Sequence, residues 1–99
     1  MSPTVIITGA SQGIGKATAL LFAQKGYDVV LAARNSERLE VVAAEVQKLG
    51  QKALPIPTDV SKVEQVNDLI EKALNFYPHI DVLVNNAGIC MTGPMEYTS

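Results

Sequence analysis

The segment Thr8-Gly9-Ala10-Ser11-Gln12-Gly13-Ile14-Gly15 follows a β-branched apolar run and precedes a stretch of helical period. Glycines in such a place permit a tight turn and let the backbone approach a pyrophosphate. The charge is then met by N–H groups at the start of the helix. An ordinary glycine-rich turn would use the same residue types, so glycine spacing alone is weak evidence. A rival anion-binding chemistry, the P-loop of a phosphotransferase or NTPase, is suggested by Gly15-Lys16. It fails twice: glycine is required where Ala10 stands, and a magnesium-binding Ser or Thr where Ala17 stands. The Gly-x-Gly-x-x-Gly pattern also fits imperfectly, because a match begun at Gly13 puts Thr18 in the third glycine position. The better description is Gly9-xxx-Gly13-x-Gly15.

A second chemistry sits at Ala33-Arg34-Asn35, at the end of another apolar run. A dinucleotide site specific for a free 2′-hydroxyl places a carboxylate about 20 residues beyond the glycine turn, and that carboxylate would repel a 2′-phosphate. Here the carboxylate is absent and a guanidinium is present. A charge-assisted contact of this kind is worth about 1.5 to 3 kcal/mol, so NADP(H) is expected over NAD(H). The competing use of Arg34 is to cap a loop or to pair with Glu37 or Glu40, which would contribute little at a surface.

These residues need elements to carry them. Val5-Ile6-Ile7, Val29-Val30-Leu31-Ala32-Ala33 and Val82-Leu83-Val84 are apolar without polar alternation, as in parallel strands covered on both faces. Ala53-Leu54-Pro55-Ile56-Pro57 is weaker, and its prolines belong at a sheet edge. Three helical segments lie between. Their predicted buried faces are Ile14, Ala17, Leu20 and Leu21; then Leu39, Val42, Val46 and Leu49; then Val63, Val66, Ile70, Ala73 and Tyr77. Gly26 and Gly50 offer left-handed caps, and Ser61-Lys62-Val63-Glu64 reads as a capping box that starts the third helix near Lys62. The strand-helix alternation predicts an α/β fold, the N-terminal half of a doubly wound, Rossmann-like parallel sheet in the order 3-2-1-4. Ligands bind where strands one and four diverge.

The glycine turn, Asp59-Val60 after the third strand and Asn85-Asn86-Ala87-Gly88 after the fourth together resemble the short-chain dehydrogenase/reductase family over nearly the whole chain. The resemblance implies that Gly9, Ser11, Gln12, Gly13, Ile14 and Gly15 wrap the cofactor's phosphates and adenosine ribose. It implies that Asp59 and Val60 contact the adenine, and that Asn86, Ala87 and Gly88 lie along the adenosine ribose. Asn85 is expected to brace the central strands instead. It also implies hydride transfer between nicotinamide and a small carbonyl or alcohol substrate, and full-length relatives that are often homo-oligomers.

The family's proton-transfer pair, a tyrosine with a lysine four residues on, is missing. Four residues past Tyr27 is Leu31, past Tyr77 is Asp81, and Tyr97 lies at the end of the chain. No catalytic residue is assigned. Residues 1–99 are therefore expected to be a partial cofactor-binding domain, truncated at the C-terminus, inactive and marginally stable alone. The alternatives are a genuine short nucleotide-binding module, or a subunit whose sheet a partner completes, and a degenerate remnant without function.

Composition excludes several other classes. With 8 basic and 10 acidic residues interspersed and a net charge of −2, there is no basic stripe for nucleic acid or lipid. No apolar run approaches the roughly 20 residues of a membrane span, and the start of the chain has no signal-peptide pattern. Cys90 is the single cysteine and His79 the single histidine, too few for a disulfide or an ordinary zinc site. A cytoplasmic location fits this usage. Cys90 is read as an inert small hydrophobe, His79 as part of the turn entering strand four on the side away from the ligand, and Met91 and Met95 as packing or pocket-lining residues.

Overall fold

The computed structural model describes residues 2–11 and 13–85. Seven elements alternate in these residues: β1 (Thr4–Thr8), α1 (Gly13–Gln24), β2 (Asp28–Ala33), α2 (Ser36–Lys48), β3 (Ala53–Pro57), α3 (Val63–Phe76) and β4 (Val82–Asn85). All strand pairs are parallel and the order is β3-β2-β1-β4, as the alternation predicts. The proline-bearing β3 is at one edge, where missing N–H donors cost no ladder bonds on the outer side.

The middles of β1 and β2 are apolar because both faces of the sheet are covered there, while β3 and β4 are only partly buried. Val5, Ile7, Val29 and Leu31 point to one face and pack with Ala19 and Ala23 of α1 and Leu39, Val42, Ala43 and Val46 of α2. Ile6, Val30, Ala32 and Ile56 point to the other and meet Leu69 and Ala73 of α3. Burying each larger side chain stabilises the fold by about 1.5 to 3 kcal/mol, which is why the sheet holds the polar site in one geometry.

The helix faces depart in part from expectation. In α1 the buried residues are Gly15, Ala19 and Ala23, while Ile14 is 76% exposed and Leu21 51%. The cause is the turn before the helix: Gly15 presses against the backbone of Gly9, and this sets the rotation of the helix about its axis. Small residues at intervals of four then face the sheet, with Leu20 and Phe22 filling the flanks. In α2, Leu39, Val42 and Val46 are buried as expected, but Leu49 is exposed because it is the C-cap. In α3, Leu69 and Ala73 are the buried pair, Ile70 and Tyr77 pack at the rim, and Val63 is exposed. The caps at Gly26 and Gly50 have φ of 93° and 92°, the left-handed region that favours glycine.

Tyr77, half-buried just after α3, has a phenol pKa pushed up by burial and, secondarily, by the negative charge of Asp28. The native state therefore keeps a proton that the unfolded chain releases above about pH 10, so this contribution is present below that pH and lost as pH rises through the native pKa. Tyr77→Phe keeps the ring but not the proton. We expect it to shrink the fall in urea midpoint between about pH 8 and about pH 11; an unchanged fall would mean that other groups govern alkaline unfolding.

Candidate functional site

The carboxyl ends of the four strands are aligned by register: Thr8 lies opposite Ala32 on one side and Asn85 on the other, and Ala33 opposite Pro57. The segments leaving them form one rim. At its centre the chain turns from β1 into α1. Gly9 and Gly13 have φ of 64° and 62°, and the Ala10 N–H donates to the Ala32 carbonyl at 3.2 Å. That bond anchors a fully buried Ala10 and fixes where the turn passes over the sheet. A Cβ built on Gly15 would lie 2.6 Å from the Gly9 carbonyl carbon and 3.1 Å from the Ala10 Cα, and would collide with the Gly9 oxygen. Glycine at 15 is therefore a steric requirement of the turn, independent of any ligand.

Arg34 emerges exposed where β2 ends. Among the described residues it makes no ion pair with Glu37 or Glu40, so the salt-bridge alternative does not hold. Its neighbour Asn35 caps α2, accepting from the Arg38 N–H at 3.0 Å. Sequence reading missed this cap. The signal was available, since asparagine ahead of Ser36-Glu37 is a favoured N-terminus.

Across the rim, Asp59 follows β3. Its Oδ1 accepts from the Ser61 hydroxyl at 2.6 Å and from the Ser61 N–H at 3.0 Å. These two bonds, with smaller help from the positive charges of Arg34 and Lys62, hold the carboxyl below the usual aspartate range, so it is ionised near neutrality. The expected capping box does not form. The Ser61 hydroxyl donates to Asp59, and α3 begins at Val63 with Lys62 at the N-cap, one residue beyond the serine, so no side chain caps it. Val60 stands half-buried beside Asp59.

At β4, the Thr8 hydroxyl lies 2.9 Å from Asn85 Oδ1 and 3.4 Å from the Val84 carbonyl oxygen. Asn85 thus ties the two central strands where they diverge, as expected. Thr8→Val keeps the shape and removes the hydroxyl. We expect a loss of about 1 kcal/mol in urea denaturation, and no loss would show the contact to be energetically idle.

Gly9, Ser11, Gly13, Ile14, Gly15, Arg34, Asp59 and Val60 are thus carried on one rim. Gln12, Asn86, Ala87 and Gly88, together with Cys90, Met91 and Met95, lie outside the described residues. His79 is at the far edge as expected, its Nδ1 2.9 Å from Asp81 Oδ2, which also accepts from the Thr4 N–H at the start of β1. A cavity of 360 Å³ opens at that same far edge, lined in part by Thr4, Asp28, Lys52 and Tyr77, away from the glycine turn. Among the described residues no group of three acidic, His or Cys side chains could hold a metal, and no helix is long and apolar enough to cross a membrane.

Comparison with known proteins finds a fold of this kind as well. The family model for short chain dehydrogenases matches residues 3–99. The chain belongs to the short-chain dehydrogenase family. Hydroxysteroid dehydrogenase-like protein 2 of Danio rerio is 45% identical over 101 residues, covering 94% of this chain and 24% of that protein. An alcohol dehydrogenase of Thermococcus sibiricus, solved with 5-hydroxy-NADP, is 39% identical with a TM-score of 0.80, covering 84% of this chain and 36% of that one. A xylitol dehydrogenase solved with NAD+ is 36% identical with a TM-score of 0.84, covering 88% and 34%. The chain thus spans between a quarter and about a third of these short-chain dehydrogenases. The two solved structures share the fold and carry cofactors of different type.

Proposed function

We propose that these residues form the cofactor-binding part of an oxidoreductase that moves hydride between NADP(H) and a carbonyl or alcohol carbon. The observation that supports this best is the rim itself. A glycine turn that admits no Cβ at Gly15 leads into the N-terminus of α1, and an exposed Arg34 stands at the end of the neighbouring strand. A pyrophosphate suits the first feature and a 2′-phosphate the second. The two related structures carry one cofactor of each type, so the preference for NADP(H) rests on Arg34 and on the lack of a carboxylate there.

In this reading Gly9, Ser11, Gln12, Gly13, Ile14 and Gly15 surround the phosphates and adenosine ribose, and Asp59 and Val60 border the adenine. Asn86, Ala87 and Gly88 follow the ribose. The bound nicotinamide supplies the hydride, while this chain binds, orients and neutralises charge. Residues 1–99 form part of a single dinucleotide-binding domain. Because they contain no Tyr-xxx-Lys, the proton-transfer residues belong to the length of the relatives that the chain does not match, and the chain by itself is read as inactive. Its single cysteine suits a reducing, cytoplasmic compartment.

Titration of the complete protein with NADPH and NADH, followed by nicotinamide fluorescence, tests the reading. We expect NADPH to bind at least about tenfold more tightly and to reduce carbonyl compounds in a panel of ketones and aldehydes. Binding of neither dinucleotide would sink it, and tighter binding of NADH would sink the cofactor preference alone.

A further inference from the structure

The end of the sheet opposite the glycine turn holds a cavity that the cofactor reading leaves unused. Its volume is 360 Å³, and Thr4, Asp28, Gln51, Lys52, Phe76 and Tyr77 are among its lining residues. Thr4 and Asp28 are register partners at the starting ends of β1 and β2. Thr8 closes β1 at the rim four residues later, so at about 3.3 Å per residue the cavity lies about 13 Å from the glycine turn. The Asp28 carboxylate is held through one oxygen: Oδ1 accepts from Gln51 Nε2 and from the Lys52 N–H, each at 3.1 Å. Gln51 is itself tethered, since its Nε2 also donates to the Gly26 carbonyl at 3.0 Å. Among the described residues Asp28 Oδ2 receives no hydrogen bond, and the Tyr77 hydroxyl makes none. Tyr77 feels the Asp28 charge in addition to its own burial, so the carboxylate and the phenol share one space. Phe76, the last residue of α3, is 68% exposed beside them.

We propose that this cavity is a second binding site, for a small organic ammonium carried on a flat apolar body, with the Asp28 carboxylate taking the cation and the Phe76 and Tyr77 rings taking the body. The inference is independent of the cofactor reading. A carboxylate with one oxygen open accepts a charge-assisted hydrogen bond from an ammonium N–H, and the phenol oxygen can accept a second. Ring faces attract an apolar surface and a neighbouring cation alike. An anion would be set against Asp28. Lys52, the one cation among the described lining residues, is exposed on a flexible stem that lets its ammonium stay in water. Volume decides the size of the ligand: 360 Å³ is near the low end for small-molecule sites, room for one ring and a short chain but for no folded partner. Because Gln51 and the Lys52 N–H hold the carboxylate in place, little ordering remains to be done when the ligand enters.

The test is equilibrium binding of phenethylamine and of its neutral isostere 2-phenylethanol to the complete protein, with and without saturating NADPH, as wild type and as Asp28→Asn, Phe76→Ser and Glu64→Gln. We expect wild type to prefer the amine by about tenfold or more, and Asp28→Asn, which keeps an acceptor for Gln51 and the Lys52 N–H, to reduce that preference to about threefold or less. Phe76→Ser removes an exposed ring on which the core does not depend, and should weaken both ligands by about threefold or more. Glu64→Gln removes a negative charge from the other end of α3 and should change neither. NADPH should leave the amine affinity unaltered. A wild type that binds neither ligand saturably, or binds both equally, overturns the inference. So does an amine preference retained in Asp28→Asn, an equal loss in Glu64→Gln, which would make the effect one of net charge, or displacement of the amine by NADPH, which would put it at the rim. Should Asp28→Asn fail to fold, Phe76→Ser decides alone: unchanged binding of both ligands there overturns the proposal.

Discussion

Gly15→Ala is expected to destabilise the protein by about 3 kcal/mol and to abolish dinucleotide binding, because the added methyl has nowhere to go. Its three nearest neighbours are backbone atoms of Gly9 and Ala10, which cannot rotate aside as a side chain would. Gly9 is committed to a positive φ, and Ala10 is buried and tied to the Ala32 carbonyl. Either α1 must lift from the sheet, opening the contacts of Ala19 and Ala23, or the turn must abandon its bond to β2. Both routes damage the core and the rim together. Gly13→Ala is the control. A Cβ there meets nothing within 4 Å, although φ is +62°, so only the left-handed backbone penalty of about 1 to 2 kcal/mol applies. Urea denaturation of the two variants decides the matter. A midpoint for Gly15→Ala no lower than that for Gly13→Ala would mean that the turn relaxes freely and that the close approach is not a constraint.

The second large effect concerns ligand choice. Arg34→Asp is expected to weaken NADPH binding by about 100-fold or more, the loss of a charge-assisted contact together with new repulsion. NADH should change by less than about threefold, or bind more tightly, since a carboxylate there can accept from a ribose hydroxyl. Stability should hardly move, because Arg34 is exposed and makes no ion pair with Glu37 or Glu40. Rising salt should weaken wild-type NADPH binding and leave NADH nearly untouched. Equal losses for the two cofactors would show that Arg34 supports the loop and does not read the 2′-position.

The sheet was legible because its signals are local and redundant. Runs such as Val29-Val30-Leu31 suit only a strand covered on both faces, Pro55 and Pro57 suit only an edge, and Gly26 and Gly50 mark helix ends by their backbone freedom. Helix faces were less legible where several rotations bury a similar apolar area. The leucine-rich stripe of α1 is the larger hydrophobic choice, yet the structure buries Gly15, Ala19 and Ala23. A contact at one end of the helix outweighs the amphipathic average. The uncapped start of α3 has a similar origin: the pattern Ser-x-x-Glu is a sound cap signal, but the assembled turn starts the helix at Val63 and puts Lys62, not Ser61, at the N-cap.

What the sequence determined by itself is the succession of elements, and with it a parallel sheet whose order brings the glycine turn, Arg34 and Asp59 to one rim. Those facts follow from periodicity, chain direction and the handedness of crossovers, all of which are properties of short segments. Tertiary structure alone decided how α1 is rotated, that Ser61 serves Asp59, that Gln65 reaches back to the turn after β3, and that Thr8 and Asn85 meet across 77 positions of chain. Each of these is a competition among several available partners. Its outcome depends on distances that exist only once the sheet is assembled.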